Sequence, residues 1–202
     1  MYERFEPTGA VTMGHRALVA YERTDGRLSV HHSQWGALGW QLLTTCRSNS
    51  PFGGNNDWEE RCHEAIVAGE DPDPPANPDT PVDPHPRTVV ESLDALVSAF
   101  DFLEYEACYV VSRTVDVRGF QPLWFARAFP DADPVGSGAL VSLRRDRDPV
   151  EDAARLTAWF RGVADTVAAM RERGLLAESD AGDYLRERIR EWEADGREVY
   201  VG

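Results

Sequence analysis

The chain has 202 residues, enough for one domain with a sizeable core, and a chain of this size buries about 70% of the surface its unfolded form exposes. Its hydrophobic and aromatic content excludes general disorder, and the lack of any run of about 18 apolar residues argues against a membrane helix. The net charge of −14 comes from 35 acidic residues against 21 basic ones, and every basic residue is arginine.

Residues 1–12, MYERFEPTGAVT, show no period and read as a loose extension, with Met13 as a second candidate start. From Arg16 the pattern sharpens: RALVAYER, then Thr24-Asp25-Gly26, then RLSVHHSQW, reads as two strands around a tight turn. With Asp25-Gly26 as a two-residue loop, Tyr21 pairs with Val30, Ala20 with His31 and Val19 with His32. Successive side chains on a strand point to opposite faces. His32 then shares an apolar face with Val19, Tyr21, Leu28 and Val30, and His31 shares a polar one with Glu22, Ser29 and Ser33. The two adjacent histidines therefore point apart and cannot both ligate one metal without a bulge.

WGALGWQLLTTCR suggests a brief helical turn. NDWEERCHEAIVAG reads as a short helix capped by Asn56 or Asp57 and stopped by Gly69. Residues 70–86, EDPDPPANPDTPVDPHP, hold seven prolines and five acids, which predicts an extended, solvated loop. Val89, Leu93, Leu96, Phe100 and Leu103 have helical spacing. EACYVVSRTVDV and QPLWFARAF are predicted strands with Arg118-Gly119 as their turn, and GALVSLRR is a third. A long helix follows, with Asp148 as its cap, Pro149 at its first position, an apolar stripe through Leu156, Phe160, Val163 and Val167, and Gly174 as its end. DYLRERIREWEAD is a second helix, stopped by Gly196, and EVYV a last short strand. The pattern is α+β: a mainly antiparallel sheet, the N-terminal hairpin plus central strands, packed against amphipathic helices. Residues 13–202 read as one domain with a loop insertion at 70–86.

An acid excess without lysine is what a cytoplasm at molar salt selects. Arginine forms bidentate pairs and lacks lysine's strongly hydrated point charge. At molar salt the Debye length is about 3 Å, so such a charge repels itself little. Codon bias in a GC-rich genome also replaces lysine by arginine, but the two biases together favour a halophile. Acidity of that origin excludes no partner class, nucleic acid included. Three cysteines, Cys46, Cys62 and Cys108, make no even framework, and no signal-like segment opens the chain. A reduced, cytoplasmic protein is expected.

The potential metal ligands are His15, His31, His32, Cys46, Cys62, His63, His85 and Cys108. Structural zinc usually shows close Cys-x-x-Cys or His-x-x-x-His pairs, and none is present. A zinc site from His32, Cys46, Cys62 and His63 would support a hydrolase-type enzyme; otherwise these are half-buried histidines and buried thiols that act as small hydrophobes. No nucleophile motif or phosphate loop is present, and Gly136-Ser137-Gly138 lacks the lysine and helix that such a loop needs.

The charge is unevenly spread. Residues 49–106 hold fourteen acids and two arginines, whereas the strand-rich 107–148 hold six arginines and five acids. Arg144, Arg145 and Arg147 form the densest cluster. If the strands share one sheet, Arg16, Arg113, Arg127, Arg144 and Arg145 would line a surface beside Trp35 and Trp124. Arginine with aromatics on a sheet is how RNA platforms are built, and phosphate-bearing ligands suit it equally. The competing account pairs each arginine with a neighbouring acid, an arrangement that carries no function.

The stretch MGHRALVAYERTDGRLSVHHSQWGAL, Met13 to Leu38, resembles the opening of a haloarchaeal family of unknown function, with an N-terminal hairpin followed by a tryptophan-glycine pair. The resemblance implies no activity. The expectation is thus an interaction module with a protein or nucleic-acid partner, no cofactor and no membrane. The rival is the metal-dependent enzyme, and a third reading is a homodimer through the apolar helical stripes.

Overall fold

The computed structural model describes residues 15–202. The extension expected over 1–12, and Met13 as a second start, lie outside the described residues. In chain order the elements are β1 (Ala17–Glu22), β2 (Leu28–Ser33), α1 (Leu42–Thr45), α2 (Glu59–Ala68), β3 (Thr88–Val90), α3 (Leu93–Ser98), β4 (Ala107–Val111), β5 (Val117–Trp124), β6 (Gly138–Ser142), α4 (Pro149–Glu172), α5 (Glu178–Arg190) and β7 (Val199–Val201). The strands form one sheet in the order β3-β2-β1-β4-β5-β6-β7.

The fold is α+β, but the sheet is mixed rather than mainly antiparallel, because β1 and β4 run parallel at its centre. The chain leaves β2, adds β3 at the edge, crosses through α3 and returns on the far side of β1. Alternation along a strand reports which faces are buried and says nothing of a neighbour's direction.

The hairpin forms in a register one residue away from that expected. Val19 lies opposite His31 and Ala20 opposite Val30. The Arg23 N–H donates to the Arg27 carbonyl at 2.9 Å, so the loop is Thr24-Asp25-Gly26, three residues long. Gly26 has φ +83°, the left-handed position that closes such a loop with a bulge. A slip of one residue exchanges the faces of the partner strand. His31, expected on the polar side, is therefore the buried one, beside Val19 and Tyr21, while His32 joins Leu18 and Ala20. The histidines do point apart.

Each sheet face has its own core. On one, Val19, Tyr21, Tyr109 and Val141 pack against Ile66 of α2, Leu156, Phe160 and Val167 of α4, and Leu185 and Ile189 of α5. On the other, Leu18, Val30, Cys108, Val110 and Phe120 pack against Leu96, Val97 and Phe100. α4 begins and ends as its sequence predicts: Asp148 accepts from the Val150 and Glu151 N–H groups at 3.0 Å. α2 is held differently from expectation. Its cap position is Trp58 without a side-chain bond. Instead the buried Glu59 accepts from the N–H groups of Phe52 at 2.9 Å and Asn56 at 2.8 Å, tying down the preceding loop.

Three further expectations are corrected. The helix read over 89–103 is only Leu93–Ser98, since Val89 belongs to β3 and Leu103 is 69% exposed. The turn before β5 is Ser112–Asp116, where Ser112 Oγ accepts from the Asp116 N–H at 2.9 Å. Gly119 lies within β5 instead, where a Cβ would stand 3.3 Å from the Trp40 ring. The proline-rich loop is not wholly solvated. Val82 and Pro84 are buried, and the Asp83 N–H donates to the His32 carbonyl at 2.8 Å. Ser33 Oγ donates to the Pro81 carbonyl at 2.6 Å.

Candidate binding site

His31 Nδ1 lies 2.9 Å from the Asp83 carbonyl, which can only accept, so Nδ1 carries the proton and Nε2 accepts from Ser29 Oγ at 3.0 Å. Its ring is fully enclosed among Tyr21, Phe52 and the loop. Burial depresses its pKa to about 4. The pair has the chemistry of a nucleophile and base, yet both residues are buried in packed surroundings, so its role is to pin the 79–84 stretch to β2.

The four expected metal ligands do not gather. His63 and the thiols of Cys46 and Cys62 sit on the larger-core side, with the His63 ring 5.7 Å from Tyr21. His32 is on the opposite face, its ring 6.0 Å from Tyr105 and its Nε2 3.2 Å from Gln34 Oε1. The hairpin register causes this separation. Burial pushes the Cys46 and Cys108 thiols up to about 12 and raises that of Cys62. Among the described residues, no group of three or more His, Cys, Asp or Glu side chains is placed to hold a metal ion.

Nor do the arginines form one surface. Arg127 pairs with Asp165 at 2.8 Å, Arg144 with both Asp146 oxygens at 2.8 Å, and Arg145 with Asp116. Arg113 is exposed on the β4–β5 turn. A cleft of about 500 Å³ is lined by Arg118, Arg144, Arg145 and Arg197, but each of these is held by carboxylates, including the buried Asp152 on Arg197. Acids close in sequence, on the facing helix, or on neighbouring strands and turns neutralise them, as they do on most acidic surfaces.

Arg16, Trp35 and Trp124 do come to the same end of the sheet, and they do so around a notch that the sequence did not reveal. β5 bonds to β6 through its odd-numbered residues: Leu143 N–H donates to the Gly119 carbonyl at 2.8 Å, and Phe125 N–H to Ser137 at 3.0 Å. Its even-numbered residues face β4. Pro122 has no N–H to give, so the β4–β5 ladder stops at Phe120 opposite Cys108, and residues 122–124 overhang. The resulting gap, of about 340 Å³, is walled by Trp40, Phe102, Tyr105 and Trp124, with Ala37, Glu106, Gln121 and Pro122. That volume lies in the range of small-ligand sites.

Trp40 is held there under strain. Its φ is +58°, a left-handed backbone uncommon for a bulky residue. Its ring packs edge-on against Tyr109 at 5.5 Å and over the bare backbone of Gly119. Strain of this kind persists only where the surroundings over-determine it, and it concentrates at functional sites. Glu106 Oε2 accepts from His15 Nδ1 at 2.9 Å, and the His15 ring lies 6.5 Å from Trp35, which is 49% exposed. On the neighbouring rim, Arg16 and Arg87 share Glu104 at 3.8 and 3.7 Å, and Arg87 also donates to the Tyr105 hydroxyl. Burial raises the Tyr105 pKa to about 12, so that hydroxyl stays neutral.

Trp124, Trp35 and Arg16 were legible as candidates by residue type. Trp40, Phe102, Tyr105 and Arg87 were not, because they reach the notch from loops without any period. Pro122 inside a predicted strand was the one available signal that pairing fails there.

No curated protein and no solved structure matches this chain. A family model described as a family of unknown function, DUF6735, matches residues 13–201. That match spans nearly the whole chain, and the chain belongs to this family of unknown function.

Proposed function

We propose that this protein acts by binding, with the aromatic notch at the end of β5 as its contact site and the Arg16–Arg87 rim as its charged border. The observation that carries this reading is the convergence of four aromatic side chains, from three separate parts of the chain, on a space that no described side chain fills. The notch opens to solvent, and the ring surface that borders it has no partner across the gap. A flat group entering the notch supplies that partner and packs on the partly exposed ring of Trp124, against the edges of Trp40 and Tyr105. The occupant is a small molecule or one exposed ring of a larger protein or nucleic-acid partner. The acid excess without lysine supports a halophilic, cytoplasmic setting for this activity.

Ala37→Leu tests the reading, because it fills the notch without removing an aromatic wall. Saturation-transfer NMR against a panel of flat heteroaromatic compounds, in molar potassium chloride, should show transfer to ring protons in the native protein and none in the variant. Equal transfer to both proteins, or none to either, would overturn the assignment.

A further inference from the structure

We infer a second ligand site, a cleft of about 380 Å³ between the loop after β5 and the first turns of α5, which takes a small organic carboxylate with an apolar body. It shares no lining residue with the notch. Two arginines carry the inference. Arg171 of α4 lies over the Phe129 ring, 4.4 Å from its centre, and Arg186 of α5 lies over the Phe125 ring at 5.8 Å. The Phe129 N–H donates to the Phe125 carbonyl at 2.9 Å, so the two rings stand one helical turn apart. They support both guanidinium groups on the lining of the same cleft. A guanidinium stacked on a ring keeps its N–H groups free to donate in its own plane.

Arg127, Arg144 and Arg145 are tied to close carboxylates, but these two are not. Arg186 has only Asp183 near it, at 3.8 Å, beyond hydrogen-bond reach. Arg171 gives Nη1 to the Ala128 carbonyl, and its Nη2 stands 3.6 Å from Glu178. The Asp183 and Glu178 side chains are 85% and 79% exposed, so water claims most of their charge. Gly182 gives the Arg186 head its place, since a Cβ there would lie 2.9 Å from Nη1. The rim then selects the charge of the ligand. Asp131, Glu178 and Asp183 border the cleft, so a dianion such as phosphate meets three acids beside the two arginines. An ammonium group meets the arginines. A single carboxylate offers two oxygens to the planar guanidinium fork and carries the least charge toward the acids. Glu178 and Ser179, in the first turn of α5, also border the cleft, and the positive end of that helix favours an anion. Phe129, Pro130 and Ala132 supply an apolar wall, and none of them is fully buried, so the body of the ligand has surface to cover.

The test is isothermal titration calorimetry of the full chain in molar potassium chloride. The probes are phenylacetate, its neutral amide phenylacetamide, and inorganic phosphate. Phenylacetate should bind about tenfold tighter than the amide, because only the acid accepts charge-assisted hydrogen bonds on both oxygens. Arg186→Gln should remove most of that difference. Gly182→Ala guards against a folding artefact: alanine favours a helix over glycine, so the variant stays folded and removes no charge. Its methyl group displaces the Arg186 head, and phenylacetate should bind several-fold more weakly. A short peptide ending in phenylalanine, with a free or an amidated end, separates two sources of the carboxylate. A free-ended peptide that outcompetes phenylacetate assigns the group to a polypeptide terminus, and one that does not assigns it to a small acid. The inference is overturned if acid and amide bind alike, if phosphate binds tighter than phenylacetate, or if no probe binds. It is equally overturned if either variant binds phenylacetate as the native protein does.

Discussion

The guanidinium of Arg197 and the carboxylate of Asp152 meet end to end inside the protein, at 2.7 and 2.8 Å, with side-chain exposures of 1% and 0%. Asp152 also accepts from the Arg144 N–H at 2.9 Å, and Arg197 donates to the Ser142 carbonyl at 2.7 Å. The pair joins the first turn of α4 to the end of β6 and to the segment leading into β7. Removing one partner leaves a buried charge alone, whereas removing both leaves none. Asp152→Asn should therefore lower unfolding stability by about 3–5 kcal/mol, and Asp152→Leu with Arg197→Met should restore most of it. Urea denaturation of the three proteins checks this; a double variant no more stable than the single one would show that the bond network, not the isolated charge, dominates.

The pH response of Asp152 follows from the same contacts. Burial pushes its pKa up, but the hydrogen bonds from Arg197 and from the Arg144 N–H outweigh that, and the net direction is down. A carboxylate lowered on folding contributes stability above its unfolded pKa and loses it as pH falls through the folded one.

His31 sets a second, separate window. Its folded pKa of about 4 lies below the usual histidine value of 6.5. The unfolded chain therefore binds the proton first, and stability falls as pH drops from about 6.5 to about 4, by roughly 3 kcal/mol in all. His31→Gln, which cannot charge, should be less stable at neutral pH and flatter across that window. Denaturant midpoints at half-unit pH steps give the comparison, and parallel slopes for both proteins would remove His31 as the cause.

Gly119 supports Trp40 through what it lacks. A methyl group there would lie 3.3 Å from the indole, and a larger side chain would displace it. Gly119→Val should cost about 1–3 kcal/mol through overpacking and should abolish ring binding in the notch. A variant that keeps full binding would mean that Trp40 is not a wall of the site.

The thiols should be inert in the folded state. Cys46, Cys62 and Cys108 are all buried, and burial raises the pKa of each. A colourimetric thiol reagent should therefore react only at the rate of unfolding. Prompt reaction of one equivalent in the native protein would identify a cysteine that opens locally.

The elements that were legible in the sequence carry their own punctuation. Asp148 and Pro149 start α4, Gly174 ends it, and Gly196 closes the segment after α5, so local chemistry alone places them. The hairpin was legible too, but not its register, because Thr24-Asp25-Gly26 serves equally as a two- or three-residue loop until Arg23 and Arg27 are seen to bond. The parallel β1–β4 pair has no local signature at all. The site followed the same division. Trp124 and Arg16 declared themselves by type, while Trp40 enters from a strained loop and Tyr105 from an irregular one, and only tertiary packing brings them together.

The strap formed by residues 79–84 has a consequence for the assembly state of the chain. β3 covers β2 only from Leu28 to Val30. Beyond that point the border of the sheet is closed by Asp83 bonding to His32, and by His31 and Ser33 bonding to the loop carbonyls. Pro81, Pro84 and Pro86 have no N–H to offer a further strand. This stretch is thus a selvedge: it finishes the border of β2 beyond Val30, where a neighbouring strand would otherwise be knitted on. A chain shortened across 71–85 should keep its helices yet grow into concentration-dependent oligomers by light scattering.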